Sequence, residues 1–153
     1  MAYQKLQVGT GVAVIPSDTI NIPNVSGASM SGRTSATVAN KLKDSGAGFT
    51  SSLVGYIVYN TDDNTVARVT GFEDEDTLLI SDNIMTNGEN YILYEDDNPG
   101  CVLYVGGTGD LRVLTSGNAD LTFTGVPTGS FIPVQVKRVF STSTTATDIL
   151  ALW

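Results

Sequence analysis

Short apolar runs that alternate with polar residues recur along the chain, and this period of two constrains the fold more than any other feature. Turn-forming residues separate the runs, as in NTDDNT at Asn60–Thr65, TNGEN at Thr86–Asn90 and GGTGD at Gly106–Asp110. Gly, Asn and Asp tolerate the backbone conformations that tight turns need. Strong helix formers never gather at a period of 3.6. The sequence therefore predicts an all-β protein.

The same alternation predicts ten strands, each bounded by turn residues. Their predicted bounds are Gly11–Ile15, Tyr56–Asn60, Val66–Gly71, Thr77–Ser81, Tyr91–Glu95, Cys101–Val105, Leu111–Thr115, Leu121–Phe123, Pro133–Phe140 and Asp148–Trp153.

Two changes in composition divide the chain. The polar stretch Asn24–Ala39 (NVSGASMSGRTSATVA) is predicted to be a flexible connector, and EDDNPG at Glu95–Gly100 marks a second boundary. We expect a small β-barrel-like module of about five strands at residues 38–96, with one helical turn near Ser51–Val54 that holds Phe49 and Leu53 over it. This module is inserted into a β-sandwich (jelly-roll-like) base domain formed by residues 1–37 and 97–153. The alternative is one continuous sandwich.

Charge and residue usage exclude several classes of function. The 153 residues carry a net charge of −8 with eight scattered basic residues, which argues against nucleic acid as a partner. The absence of histidine removes the commonest general base and metal ligand. Cys101 is alone and is interpreted as a small buried hydrophobe. We therefore expect no enzyme, no cofactor and no metal.

No apolar run approaches the roughly 20 residues that cross a bilayer, and no basic segment followed by an apolar one opens the chain. The sequence therefore predicts a soluble protein, made in a cytoplasm, that has no membrane partner.

Acidic clusters and tyrosines have two interpretations each. The clusters at Asp62–Asp63, Glu73–Asp76 and Glu95–Asp97 could bind Ca²⁺, but none has EF-hand spacing, so solvated loops are preferred. Four tyrosines could stack on sugars at an exposed surface, but their alternation in strands favours a role in the module wall: Tyr56, Tyr59, Tyr91 and Tyr94.

The carboxyl-terminal segment, FIPVQVKRVFSTSTTATDILALW, ends on the only tryptophan of the chain. The alternation that begins at Ile132 slips near Lys137–Arg138, which predicts either a β-bulge or entry into a subunit contact. DILALW is apolar on both faces, which indicates burial on both sides. We therefore predict a core or interface strand, and the candidate interface residues are Val139, Phe140, Ile149, Leu150, Leu152 and Trp153.

Two stretches of the chain resemble the spike base protein family of tailed phages and gene transfer agents. These are VIPSDTINI at Val14–Ile22 and, more closely, LYVGGTGDLRVLTSGNADLTFTGVPTGSFIPVQVKRVFSTSTTATDILALW at Leu103–Trp153. Together they cover roughly half of the chain. The middle of the chain, Asn24–Asp97, is much longer than the connector of that family and is similar to a small β repeat of phage structural proteins.

The resemblance implies a non-enzymatic virion component. It would be made in the host cytoplasm and would assemble as a ring-like, symmetric homo-oligomer on the capsid, as a spike base or a decoration protein. Its partners would be identical subunits and the major capsid protein or other virion proteins. The alternatives are a receptor- or glycan-binding module of a phage particle and a neck or tail component.

Overall fold

The computed structural model describes residues 8–153, in which strands dominate and no α-helix occurs. One 3-10 helix spans Ser51–Leu53, where a helical turn was predicted. The all-β class is confirmed. In chain order the strands are β1 (Gly11–Ala13), β2 (Asn24–Arg33), β3 (Ala36–Val38), β4 (Lys41–Lys43), β5 (Ile57–Asn60), β6 (Thr65–Asp74), β7 (Thr77–Ile80), β8 (Asn90–Glu95), β9 (Cys101–Gly107), β10 (Gly109–Thr115), β11 (Asp120–Val126), β12 (Ser130–Val139) and β13 (Thr147–Leu152).

Each of the ten predicted strands has a counterpart, but the predicted connector is wrong. Residues 24–39 contain β2 and β3, and β4 follows directly. The prediction failed because Ser, Gly and Thr give these strands no apolar alternation. The structure supplies the reason, since β2 and β3 are the two edge strands of their sheet and are only partly buried.

The chain divides into two compact units. We call residues Met1–Ser26 with Asn98–Trp153 the base unit, and Gly27–Asp97 the inserted module. The first boundary lies within β2, ahead of the position expected from composition, because most of the predicted connector contributes strands to the module's sheet.

One antiparallel sheet forms the base unit, in the order β1-β13-β9-β12-β10-β11. Strand β12 pairs with β9 through Ser130–Ile132 and with β10 chiefly through Val136–Val139. Its register shifts between these two parts. A strand that changes partners in this way bends the sheet, so both halves can face one core.

A β-bulge lies where the slip in alternation predicted it. Val136 pairs with Thr115 and Arg138 with the neighbouring Leu114, so Lys137 is the extra residue. The bulge lets Val136 and Val139 both enter the core although three positions separate them.

The core of the base unit draws on both ends of the chain. Its buried side chains come from five strands, β9 to β13, and from the segments that flank them: Ile22, Cys101, Leu103, Val105, Leu111, Val113, Val126, Ile132, Val136, Val139, Ala146, Ile149 and Ala151. Because β1 pairs with Leu150–Leu152 of β13, an early and a late segment of the chain lie side by side at one edge of the sheet.

The inserted module is a second antiparallel sheet, in the order β2-β8-β5-β6-β7-β4-β3. It has seven strands where about five were expected. Only Thr34 and Ser35 separate its two edge strands, a span of at most ~11 Å. A flat sheet of this width would hold its edges about 29 Å apart. The sheet must therefore curl until its edges meet, which makes the module barrel-like.

Hydrogen bonds at the junction of the two edges show this closure directly. The Thr34 N–H donates to the Glu89 carbonyl oxygen (2.9 Å) just before β8, and the next N–H, of Ser35, donates to the Lys43 carbonyl oxygen (2.8 Å) in β4.

The module has a core of its own, in which Phe49 and Tyr91 are the largest buried side chains. The Tyr91 hydroxyl lies 2.6 Å from Asp44 Oδ2. A Cβ added at Gly32 would collide with both of these groups, so β2 needs glycine there to pass the buried pair.

Candidate functional site

Trp153 is fixed in the base unit although it is the last residue. Its main-chain N–H donates to the Thr10 carbonyl oxygen (3.0 Å), and its carbonyl oxygen accepts from the Gly9 N–H (2.6 Å). Its indole Nε1–H donates to Asn98 Oδ1 (3.2 Å), and the half-buried ring packs against the core. Trp153 therefore links the end of β13 to the residues just before β1 and to Asn98, where the chain re-enters the base unit.

The candidate interface residues lie in three different environments. Val139 and Ile149 are already buried in the base core, so they offer little surface to a partner. Phe140, Leu152 and Trp153 are half-buried. Leu150 is 40% exposed on the outer side of the sheet. Within a single chain, then, the inner face of β13 is buried and its outer face is not. Contact between copies through these residues remains a prediction.

Leu150 belongs to a continuous apolar surface. Because Leu103, Ile149 and Ile132 face the core, the residues that alternate with them point outward. The strand register aligns Leu150 with Tyr104 and Tyr104 with Phe131, and it aligns Leu152 with Val102 in a second row. We call this surface the apolar outer face and define it by Val102, Tyr104, Phe131, Leu150 and Leu152.

An aromatic pair and a groove give the apolar outer face its shape. The rings of Tyr104 and Phe131 meet edge-on, with centroids 5.5 Å apart. Phe131 is 54% exposed, and beside it lies a groove of about 370 Å³ between β9 and β12, lined by Val102 and by Phe131–Gln135. Contiguous exposed apolar side chains commonly mark contact surfaces.

The two units carry very different charge. The module has twelve acidic and four basic side chains, a net charge of −8, whereas the base unit has four of each and is neutral. The whole net charge of the chain therefore lies in the module. Self-association through the base unit meets no net repulsion, and association through the module would meet a strong one.

Several acidic side chains of the module fix turns. Asp62 accepts the Asn90 N–H (2.7 Å), Asp76 accepts the Gly46 N–H (2.7 Å) and Glu73 pairs with Lys41 (2.5 Å). The hydrogen bonds from Asn90 lower the pKa of Asp62. The first cluster, Asp62–Asp63, is an exposed turn as the preferred interpretation expects, whereas Glu73 and Asp74 lie in β6 and Glu95 in β8.

Asn60 is the centre of a polar cluster in the module. Its buried amide donates to Glu89 Oε2 (2.8 Å), and its Oδ1 accepts the N–H groups of Asp62 and Asp63. The charge of Glu89 raises the pKa of Asp63, while the Thr86 N–H lowers the pKa of Glu89 itself. The pKa values of these two neighbouring carboxyl groups are therefore shifted in opposite directions.

The tyrosines of the module divide into two groups. Tyr59 and Tyr91 are buried, as wall residues would be, and cannot stack on a sugar. Tyr56 and Tyr94 are half-buried. Tyr56 donates to Glu95 Oε1 (3.2 Å) at an open depression of about 350 Å³, which Arg68, Asp96 and other polar residues also line.

Within the described part of the chain, no group of three or more Cys, Asp or Glu side chains is arranged to hold a metal ion. Cys101 is buried, and its Sγ lies 3.2 Å from the Val136 carbonyl oxygen. Burial raises the pKa of its thiol to about 12, so it is a poor nucleophile. No helix among residues 8–153 is long and apolar enough to span a bilayer.

No family model, curated protein or solved structure matches this chain.

Sequence reasoning missed Phe131, Tyr104 and Val102 as surface residues. Phe131 lay outside the predicted strand Pro133–Phe140, and Tyr104 was counted only as part of a strand. The signal was present, since Val102 and Tyr104 alternate with the core residues Cys101, Leu103 and Val105. Finding the apolar outer face also required knowing that β9 lies between β12 and β13.

Proposed function

We propose that this protein is a non-enzymatic bacteriophage virion structural protein, a capsid-associated spike base or decoration protein that assembles as a symmetric homo-oligomer. The observation that carries the proposal is the division of properties between the two units. The neutral base unit exposes the apolar outer face, and the inserted module holds the net charge of −8. This division suits a protein that packs through one part and keeps the other part in solvent.

The assignment to a virion rests on the resemblance of Val14–Ile22 and Leu103–Trp153 to spike base proteins. The second of these stretches contains all the strands of the base unit except β1, the start of β2 and the first two residues of β9. Identical subunits and the major capsid protein are the partners that this resemblance implies. The protein would be made in the host cytoplasm and would act on the particle.

Deletion of Ile149–Trp153 is one test of assembly, and we expect it to abolish the oligomer. This deletion cannot distinguish loss of a subunit contact from loss of the fold. Ile149 and Ala151 are core residues, and Trp153 hydrogen-bonds to the residues that lead into β1. Loss of assembly would then follow from loss of the base unit. Point substitutions on the apolar outer face separate the two effects.

The decisive experiment locates the chain in an intact particle. Mass spectrometry of purified particles from the host should find the protein at many copies, and cryo-microscopy should place it on the capsid shell or at a vertex. A position in the neck or tail would favour that alternative. Absence of the chain from purified particles would refute the proposal.

The depression at Tyr56 favours a second candidate, a glycan-binding module, because an aromatic ring and carboxylates line it together. A glycan array tests this candidate on the purified protein. Specific micromolar binding that Tyr56→Ala removes would support it, and Phe72→Ala, at an exposed position of the same module, is the matched control. Binding that survives Tyr56→Ala would exclude this depression.

A further inference from the structure

We propose that the apolar outer face is a two-fold contact between copies of this chain, with the two sheets packed face to face and their strands antiparallel across the contact. This inference rests on the proposed function, which leaves the symmetry of the oligomer open. In a two-fold contact the same surface of each copy meets its equivalent on the other copy. Such a contact can join two single copies or two rings.

Charges of opposite sign mark the two ends of this surface. Asp148 lies beside Gly106, because the pairs Thr147–Gly107 and Ile149–Val105 flank it. Lys137 lies at the other end, directly after Val136, which pairs with Cys101. Five residues of β9 separate the ends, a distance of about 17 Å. Neither side chain has an ion pair among residues 8–153.

A two-fold axis through the middle of the face, perpendicular to the strands, brings ends of opposite charge together. The axis places the Asp148 end of one copy over the Lys137 end of the other, twice in each dimer, while the apolar rows meet between them. A parallel arrangement would bring like charges together. The neutral base unit and its apolar centre therefore fit a second copy better than a strongly acidic or basic partner.

The area of the apolar outer face sets the expected affinity between two copies. Three strands about 4.8 Å apart and about five residues long give roughly 250 Å² per copy, against about 800 Å² per partner in a stable complex. We therefore expect weak association in dilute solution, with a Kd of roughly 10 to 1000 µM. Many copies arrayed on a particle would strengthen it by multivalency.

Sedimentation equilibrium of the full chain, up to about 1 mM, measures the association. We expect Phe131→Asp and Leu150→Asp to raise the dimer Kd at least about ten-fold, because each buries a charge in the contact. Leu121→Asp on β11 is the matched control, since Leu121 is 39% exposed in the same unit but off this face. It should change the Kd less than about two-fold.

Three results would overturn the proposal: a wild-type protein that stays monomeric throughout, association that the two face variants leave intact, or a control variant as disruptive as they are. Trp153 fluorescence and circular dichroism confirm that each variant remains folded. Because the altered side chains are exposed, we expect no loss of structure.

A double-mutant cycle tests the antiparallel arrangement separately. Lys137→Gln and Asp148→Asn should each raise the Kd about two- to five-fold, and the double variant should raise it no further than the stronger single one. Asparagine suits position 148 because the backbone φ there is 51°. Strictly additive effects would contradict pairing between these two ends.

The result of these association experiments is independent of whether the protein is found in particles. A dimer in solution with no copies in particles would refute the virion function and leave the contact standing. Copies in particles whose apolar outer faces do not meet would refute the contact alone.

Discussion

The base unit and the inserted module each build an antiparallel β core, but their surfaces are opposite in character. The base unit is neutral and exposes Leu150 and Phe131 in one patch, whereas the module carries a net charge of −8 and fixes its acidic loops with backbone hydrogen bonds. The difference teaches that an exposed apolar surface and a high net charge can be assigned to separate units of one chain. A uniform charge of −8 over both units would oppose packing of identical copies.

Closure also differs between the two regions. The module curls until its two edge strands join through Thr34 and Ser35. The sheet of the base unit instead stays open, with β1 and β11 at its edges, and bends at β12. An unbroken run of residues 27–97 builds the module, whereas the base unit needs both parts of the chain before its core is complete.

The largest expected effect comes from truncating the two cores. Leu103→Ala in the base unit and Leu93→Ala in the module remove fully buried side chains of the same type, so each should cost its own unit about 2–5 kcal/mol. Calorimetry with Trp153 fluorescence separates the units, because the only tryptophan reports on the base unit. If Leu93→Ala lowers the midpoint of the fluorescence transition as much as Leu103→Ala does, the two units unfold together and the comparison fails.

A smaller effect should follow from Trp153→Phe. An aromatic ring is kept, but the pyrrole part of the indole and its N–H hydrogen bond to Asn98 are lost, which should cost the base unit about 1–2 kcal/mol. Urea unfolding followed by circular dichroism measures the change. Tyr94→Phe, which removes a hydroxyl from the module, is the comparison. A base unit as stable as that of the unmodified protein would show that the indole contact is unimportant.

Acid should affect the two units differently. In the base unit, hydrogen bonds from Thr142 lower the pKa of Asp18, and those from Arg112 lower the pKa of Asp120. The stability that these two carboxylates contribute is therefore present at neutral pH and is lost as pH falls below about 4. In the module the raised pKa of Asp63 acts in the opposite direction. Protonation of Asp63 should therefore stabilise the module as pH falls toward about 4, whereas Asp62, Asp74 and Glu89, whose pKa values are lowered, oppose this as they take up protons. A stability maximum for the module results if the effect of Asp63 is the larger.

Thermal melts between about pH 3 and 7 would detect a stability maximum for the module alone. Asp63→Asn should flatten that maximum and leave the base unit unchanged. A maximum that persists in this variant would assign the gain to the relief of overall repulsion rather than to the Asp63–Glu89 pair.

The smallest effect concerns salt. Raising NaCl from about 0.01 M to 0.5 M shortens the screening length, which should weaken repulsion within the acidic module and stabilise it by a few tenths to about 1 kcal/mol. The neutral base unit should respond less. Equal shifts in the two transitions would mean that net charge does not distinguish the units.

Much of the fold could be predicted because strong alternation identifies strands locally. Ten strands, the turn at Ser51–Leu53 and the bulge at Lys137 all left a signal in the sequence. The strands β2 and β3 left none, since edge strands rich in Ser, Gly and Thr have little apolar pattern to detect. Their existence depends on partners that lie far away in the sequence.

The candidate site was only partly predictable for the same reason. DILALW identified Leu150, but Phe131 and Tyr104 join it only because β9 lies between β12 and β13. The sequence also could not separate Ile149, which faces the core, from Leu150, which faces outward, since both are large and apolar.

By itself the sequence determined the all-β class, most of the strands and the absence of histidine chemistry. These properties depend on residue type and on a period of two, which are local. Tertiary structure alone decided which apolar residues are buried, how the two edges of the module meet, and which side chains form the apolar outer face. The physical reason is that strand order is set by contacts between distant segments, and alternation along a single strand carries no information about its neighbours.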